Sequence, residues 1–259
     1  DISSSEQIAY QGNKLVEAYN CQGCHTMDKV SPMTDYLRNY YSKKLEEGAS
    51  VTLGDNQEPS VRQLVKAHVP PTLRNVGNRL SQEWLFNFLK NPVGPNGRER
   101  IRTWQHVRMP NFKFSDQELT KLTEGLGHAG WNEVPPKVSE ETRNSSPDSR
   151  RVGRVIFQRV CSNCHIVEGN ETFQQPQFTP NLSYIGGKFH YEGFLDWIEK
   201  PSERFGPKEG NLFRHGGMVP YTKLPMTESF LGFEPEGDYS TKRKQMQALR
   251  DYIFAQNAE

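Results

Sequence analysis

Four cysteines are all the chain has, and each pair runs directly into a histidine: Cys21 and Cys24 before His25, Cys161 and Cys164 before His165. Cys-x-x-Cys-His is the pattern that attaches a c-type haem. Each thiol forms a thioether with a vinyl group, and the adjacent histidine lies beneath the iron as its proximal ligand. A lone Cys-x-x-Cys also fits a redox dithiol or half of a zinc site, and two pairs together fit a zinc ribbon. These pairs lie 140 residues apart, however, where a ribbon keeps its pairs close. Neither dithiol nor zinc chemistry calls for a histidine after both pairs. The doubled motif therefore predicts two covalently attached haems c, with iron held by His25 and His165.

A haem with one protein ligand is open for chemistry, so the sixth ligand decides what the iron does. Met109, in VRMPNF, follows a Pro/Gly/Arg-rich stretch rather than lying on an apolar helix face. Its thioether is a neutral, soft ligand that raises the reduction potential relative to histidine. An internal repeat extends this reading to the second half. Val69–Pro92 and Phe178–Pro201 align without a gap at an offset of 109, matching Pro71 with Pro180, Leu73 with Leu182, Gly77 with Gly186 and Pro92 with Pro201. The same offset carries Met109 onto Met218, which makes Met218 the second thioether ligand ahead of its competitor Met226. His106 and His215, three residues before each methionine, are alternative ligands in principle and are read as solvated or haem-edge groups. Arg79 and Lys188, paired by the repeat, are candidates for haem propionates. Arg98, Arg100, Arg102 and Arg108 cluster before Met109 as a candidate docking patch. His68, His128 and His190 have no repeat partner and read as ordinary surface or loop residues.

The elements that must position these residues read as helices. Ser115 to Glu118 is a capping box, followed by Leu119, Leu122 and Leu126 on one helical face; Met246, Leu249 and Ile253 repeat that spacing. Leu85–Leu89 and Phe194–Ile198 read as helices stopped by Pro92 and Pro201, since proline disfavours helix just before it. A helix also leads into each cysteine motif, from about Glu6 and from about Arg151. No alternating strand pattern appears, so the expected class is all-α. The cysteine motifs are offset by 140 and the repeat by 109, which puts an insertion in the first half at about 29–66, rich in Tyr, Lys and Glu; solvated surface is its simplest role. The expected organisation is a first domain at 1–135, a Pro/Ser/charge-rich linker at 136–150, and a second domain at 151–259.

Composition limits the function classes. Apolar residues make up 34% of the 259 residues and mean hydropathy is −0.80, lean for a chain that must bury a core; two haems would supply apolar mass. Charge is balanced, with 32 basic and 31 acidic residues, unlike the basic excess of a nucleic-acid binder. No stretch approaches the roughly 20 apolar residues of a membrane helix. The chain opens at Asp1 without a basic-then-apolar leader, as expected of an exported protein whose signal is removed.

On the two Cys-x-x-Cys-His sites, the PTLRNVG and PNLSYIG segments, and RMPNF before a helix, the sequence resembles the two-domain dihaem cytochromes c, built from two class I cytochrome c folds in tandem. The resemblance covers most of both halves outside the linker and the insertion. It implies all-α domains each wrapped around a haem, His/Met-ligated iron, and single-electron transfer between a donor and an acceptor protein in the bacterial periplasm or an equivalent exported compartment, as in a respiratory chain. Two rivals accompany that expectation. One is a haem subunit of a larger membrane redox complex. The other is a dihaem enzyme such as a peroxidase, although the tryptophan-aspartate-glycine-arginine motifs of those enzymes are absent. Ligation of iron by a further cysteine, as in dihaem thiosulfate-oxidising enzymes, is closed because attachment uses all four thiols. No catalytic residue is assigned.

Overall fold

A computed structural model of the chain describes residues 3–27, 29–49, 60–74, 76–92, 109–128, 145–162, 165–167, 181–183, 185–199, 231–234 and 236–256. Its helices are α1 (Ser4–Ala18), α2 (Cys21–Cys24), α3 (Pro32–Glu46), α4 (Val61–His68), α5 (Val76–Arg79), α6 (Gln82–Lys90), α7 (Asp116–His128), α8 (Pro147–Ile156), α9 (Ile185–Lys188), α10 (Tyr191–Glu199) and α11 (Lys242–Ala255). Among the described residues there is no strand; one antiparallel bridge joins Leu80 to Phe189. Helix starts are written locally. Ser3, Ser31, Ser60, Ser81, Ser146 and Thr241 each accept a backbone N–H two or three residues into the following helix, satisfying a donor the helix leaves open. The Ser115–Glu118 capping box forms as expected at the start of α7. α8 begins at Pro147, a residue suited to the first turn, so the last four residues of the expected 136–150 linker are helical.

Apolar spacing becomes two separate clusters. One gathers Val16, Val76, Leu85, Leu89, Phe114, Leu119, Leu122 and Leu126. The other gathers Val152, Ile156, Phe157, Ile185, Phe194, Ile198, Leu249 and Ile253, among others. In the first, α1 crosses α7; in the second, α8 crosses α11. Both crossings are set by a glycine. A Cβ on Gly12 would fall on the Lys121 carbonyl oxygen and 2.6 Å from the Gly125 Cα, and one on Gly153 would fall on the Ala248 carbonyl and 2.8 Å from the Tyr252 Cβ. Backbones can approach this closely only where no side chain intervenes.

The second crossing also carries buried charge. Asp251 accepts from the Ser149 hydroxyl of α8 at 2.7 Å, from the Tyr191 hydroxyl of α10, and from Arg250. Arg250 donates to Glu192 at 2.8 Å and lies 3.5 Å over the Tyr191 ring. Arg250 is 5% exposed and Asp251 8%, so each needs the other's charge to offset its desolvation. Burial, then the bond to Asp251, holds the Tyr191 phenol well above its ordinary range.

The 29–66 insertion departs from the solvated-surface expectation in part. α3 exposes Tyr36 and Tyr40, but α4, which runs past Lys66 to His68, buries Leu64 and Val65 completely. His68 donates from Nδ1 to the Leu64 carbonyl at 2.9 Å, and its ring meets Tyr41 of α3 at 5.4 Å. It is therefore part of the α3–α4 contact rather than a free surface residue.

Between the halves, Ser81 N–H donates to the Lys188 carbonyl at 2.9 Å and His190 N–H to the Arg79 carbonyl at 2.8 Å. Residues 79–81 and 188–190 are repeat equivalents, so each hydrogen bond is the image of the other about a local two-fold axis. Side chains break the symmetry: the Lys188 ammonium lies 4.4 Å from the Trp84 ring centroid, while position 193, the equivalent of Trp84, is glycine. His190, read as an ordinary loop histidine, is half-buried in this contact, and burial lowers its pKa.

Two stability outcomes follow from these contacts. Gly12→Val, which forces the α1–α7 crossing apart, lowers stability by about 1–3 kcal/mol, and an unaltered thermal midpoint would show that the crossing does not need the glycine. Asp251→Ala leaves the buried Arg250 with Glu192 alone and lowers stability by about 3 kcal/mol; denaturant unfolding of the purified protein checks this.

Candidate haem site

α1 ends at Ala18, and the chain turns through Asn20, whose φ of 50° lies in the left-handed region that asparagine tolerates. The break starts a separate four-residue turn, Cys21–Cys24, closed by the His25 N–H on the Cys21 carbonyl at 2.8 Å. Cys21 is half-buried against the first apolar cluster and Cys24 is exposed. Both thiols are free of disulfides; burial, the largest influence, raises the pKa of Cys21.

His25 Nδ1 lies 2.7 Å from the Pro71 carbonyl oxygen. A carbonyl can only accept, so Nδ1 carries the proton, and in the neutral ring Nε2 is the unprotonated nitrogen. That is how a metal-ligating histidine is ordinarily held, with its second nitrogen fixed to a backbone oxygen. The segment that supplies this oxygen is itself pinned. Leu73 N–H donates to the Thr26 carbonyl at 2.9 Å, and the buried Thr72 hydroxyl donates to the same oxygen at 2.9 Å. The residues present thus fit a haem of the c type: two thiols in one turn, and a histidine in the ligating tautomer.

Met109 lies in the described structure, half-buried and packed against the same apolar cluster as Cys21. The segment after it is clamped. Phe112 and Phe114 meet Tyr19 edge-on at 5.7 and 4.7 Å, a favoured geometry for aromatic quadrupoles. The Tyr19 hydroxyl donates to Glu118 at 2.8 Å. The Ser115 backbone amide first, then its hydroxyl and the Tyr19 phenol, lower the Glu118 pKa, and Glu118 in turn raises that of Tyr19.

In the second half, the approach to the motif differs. α8 passes into a π-helical turn, Phe157–Cys161, where the first half breaks at Asn20. Two details recur: His165 N–H reaches the Cys161 carbonyl at 2.8 Å, and Leu182 N–H reaches the Ile166 carbonyl at 2.9 Å, the equivalent of Leu73 on Thr26. Cys164, Met218 and Met226, with His106, His215 and the arginines at 98, 100, 102 and 108, lie outside the described residues. The propionate candidates are engaged elsewhere: Arg79 donates to the Thr72 and Arg74 carbonyls at 2.9 and 3.4 Å, and Lys188 rests on Trp84. Sequence reasoning missed Tyr19, Glu118 and Thr72 as parts of the site. Thr72 lies inside the repeated segment, which is a weak signal, and Tyr19 carries none.

Residues 9–126 match the family model for cytochrome c. Over those residues the chain is similar to a cytochrome c domain. The match opens inside α1 and closes inside α7, so it takes in the helix crossing, the Cys21–His25 turn, the Pro71 segment and Met109. Such a domain implies covalently bound haem c, haem-based electron transfer and redox protein partners. No curated protein and no solved structure matches the chain. Cytochrome c domains are typically exported, and no described helix is long and apolar enough to cross a membrane.

The Thr72 hydroxyl donates to the Thr26 carbonyl and accepts the Arg74 N–H at 3.2 Å. Thr72→Val removes both while keeping the shape, and lowers stability by about 1 kcal/mol; a thermal midpoint within error of the parent would show the segment is held by the Leu73 bond alone.

Proposed function

We propose that the chain is a dihaem c-type cytochrome that passes single electrons between protein partners. Its two domains, 1–135 and 151–259, each hold one haem. Cys21 and Cys24 form the thioethers of the first and Cys161 and Cys164 those of the second. His25 and Met109 ligate the first iron, and His165 and Met218 the second. The observation that carries the reading is the His25 ring, held directly after the Cys21–Cys24 turn by its Nδ1 on the Pro71 carbonyl. The repeat of the local hydrogen bonds around His165 supports the second site.

The bound iron would supply one-electron redox chemistry, tuned by its axial ligands and by burial. The protein's part is to fix ligand orientation, to shield the iron with the apolar cluster around Met109, and to exclude exogenous ligands. Because the routes into Cys21 and Cys161 differ, one broken at asparagine and one π-helical, the two haems sit in unlike surroundings and have different potentials. The working compartment is the periplasm or an equivalent exported space, in a respiratory chain, with a membrane redox complex as a natural donor or acceptor.

Haem content and an optical spectrum of the oxidised protein through the near-infrared, followed by reduction and carbon monoxide, test this. Two haems per chain, a sulfur-to-iron band that accounts for both, and no carbon monoxide shift are expected. One haem per chain overturns the dihaem reading. A carbon monoxide adduct or a high-spin signal at either iron overturns the closed electron carrier in favour of small-molecule chemistry.

A further inference from the structure

We propose that Tyr19 is a positioning residue for the first haem's sixth ligand, latching the Met109 segment to the helix that enters the Cys21 turn. The inference rests on the reading of Met109 as that ligand. Tyr19 stands two residues before Cys21, and its phenol donates to Glu118 Oε1 at 2.8 Å. Glu118 Oε2 accepts from the Ser115 amide and the Ser115 hydroxyl, both at 2.8 Å. One carboxylate therefore joins the end of α1 to the start of α7, seven residues after Met109.

The segment between Met109 and Ser115 has little freedom left once that carboxylate is in place. Lys113 N–H donates to Asn111 Oδ1 at 2.9 Å, Asn111 Nδ2 donates to the Lys90 carbonyl at 3.4 Å, and Lys113 takes a positive φ of 59°. Phe112 and Phe114 close against the Tyr19 ring itself. Tyr19 thus holds the segment in two ways, directly through its ring on the aromatic pair and, at the Ser115 end, through its hydroxyl on Glu118. The ring provides apolar packing that phenylalanine would also provide. The hydroxyl alone provides direction, because a hydrogen bond to a carboxylate is both stronger and more angularly defined than ring contact. No such latch can form the same way in the second half, where the residue two before Cys161 is Arg159. The device would therefore act on one haem of the two.

The test uses the haem-loaded protein. Tyr19→Phe keeps the ring and removes the bond. It is expected to retain both haems, to bind imidazole roughly three- to tenfold more tightly at one iron, and to lose part of the sulfur-to-iron band at lower pH than the parent. In a Glu118→Ala background, Tyr19→Phe is expected to add nothing further. Imidazole affinity and band both unchanged in Tyr19→Phe, or a lower thermal midpoint alone, overturns the positioning role. So does a full Tyr19→Phe effect in the Glu118→Ala background. Met109→Ala separates the two levels of the argument. If it leaves the band and imidazole binding untouched, Met109 is not the ligand and the underlying reading fails. If it opens one iron while Tyr19→Phe does not, ligation stands and the latch fails.

Discussion

The first half depends on the close crossing of α1 and α7. Gly12 and Gly125 let the two backbones meet, and that contact sets where two distant parts of the chain end up. α1 delivers Cys21 from one side and the approach to α7 delivers Met109 from the other. Without the crossing, nothing would bring residues nearly 90 positions apart to one apolar cluster. A larger residue at Gly12 would disturb both at once, because the Lys121 carbonyl it would strike lies in the same helix as Leu119 and Leu122. The second half solves the same problem with Gly153 against Ala248 and adds the buried Arg250–Asp251–Tyr191 group, which the first crossing lacks.

Around this crossing, short polar contacts convert proximity into direction. Packing brings His25 near the Pro71 segment, but the hydrogen bond to the carbonyl is what selects the tautomer and fixes the ring. Thr72 and Leu73 hold that carbonyl by bonding the Thr26 oxygen on the other side of the motif. The Tyr19–Glu118–Ser115 chain does the corresponding job on the Met109 side. Apolar burial is non-directional and supplies most of the stabilisation; these few bonds supply orientation.

The contact between halves joins residues 79–81 to their own repeat equivalents at 188–190. Such pairing is what an isologous interface looks like when its two copies lie on one chain. Its backbone part is symmetric and its side chains are not: Lys188 stacks on Trp84, whereas Arg79 turns inward to carbonyls of its own half. The asymmetry diverts both of the cations that the repeat alone suggested for propionates.

Much of this was legible in the sequence. The attachment motifs are local in chain, and so are the caps, the proline stops and the 3.6-residue spacing of Leu119, Leu122 and Leu126; each is a property of a few neighbouring residues. Pairing Arg79 with Lys188 was also legible, but not what either one touches, because that depends on which surfaces meet. The tautomer of His25, the burial of Leu64 and Val65 within the insertion, the Asp251 cluster and the Tyr19–Glu118 bond share a reason for being invisible. Each joins side chains from separate elements, between 46 and 102 residues apart for the hydrogen bonds, and no spacing rule reaches across such distances. Local chemistry and helix type were set by the sequence alone; orientation at the haem site was decided by the tertiary structure, because only packed helices bring a donor and an acceptor from distant segments within 3 Å.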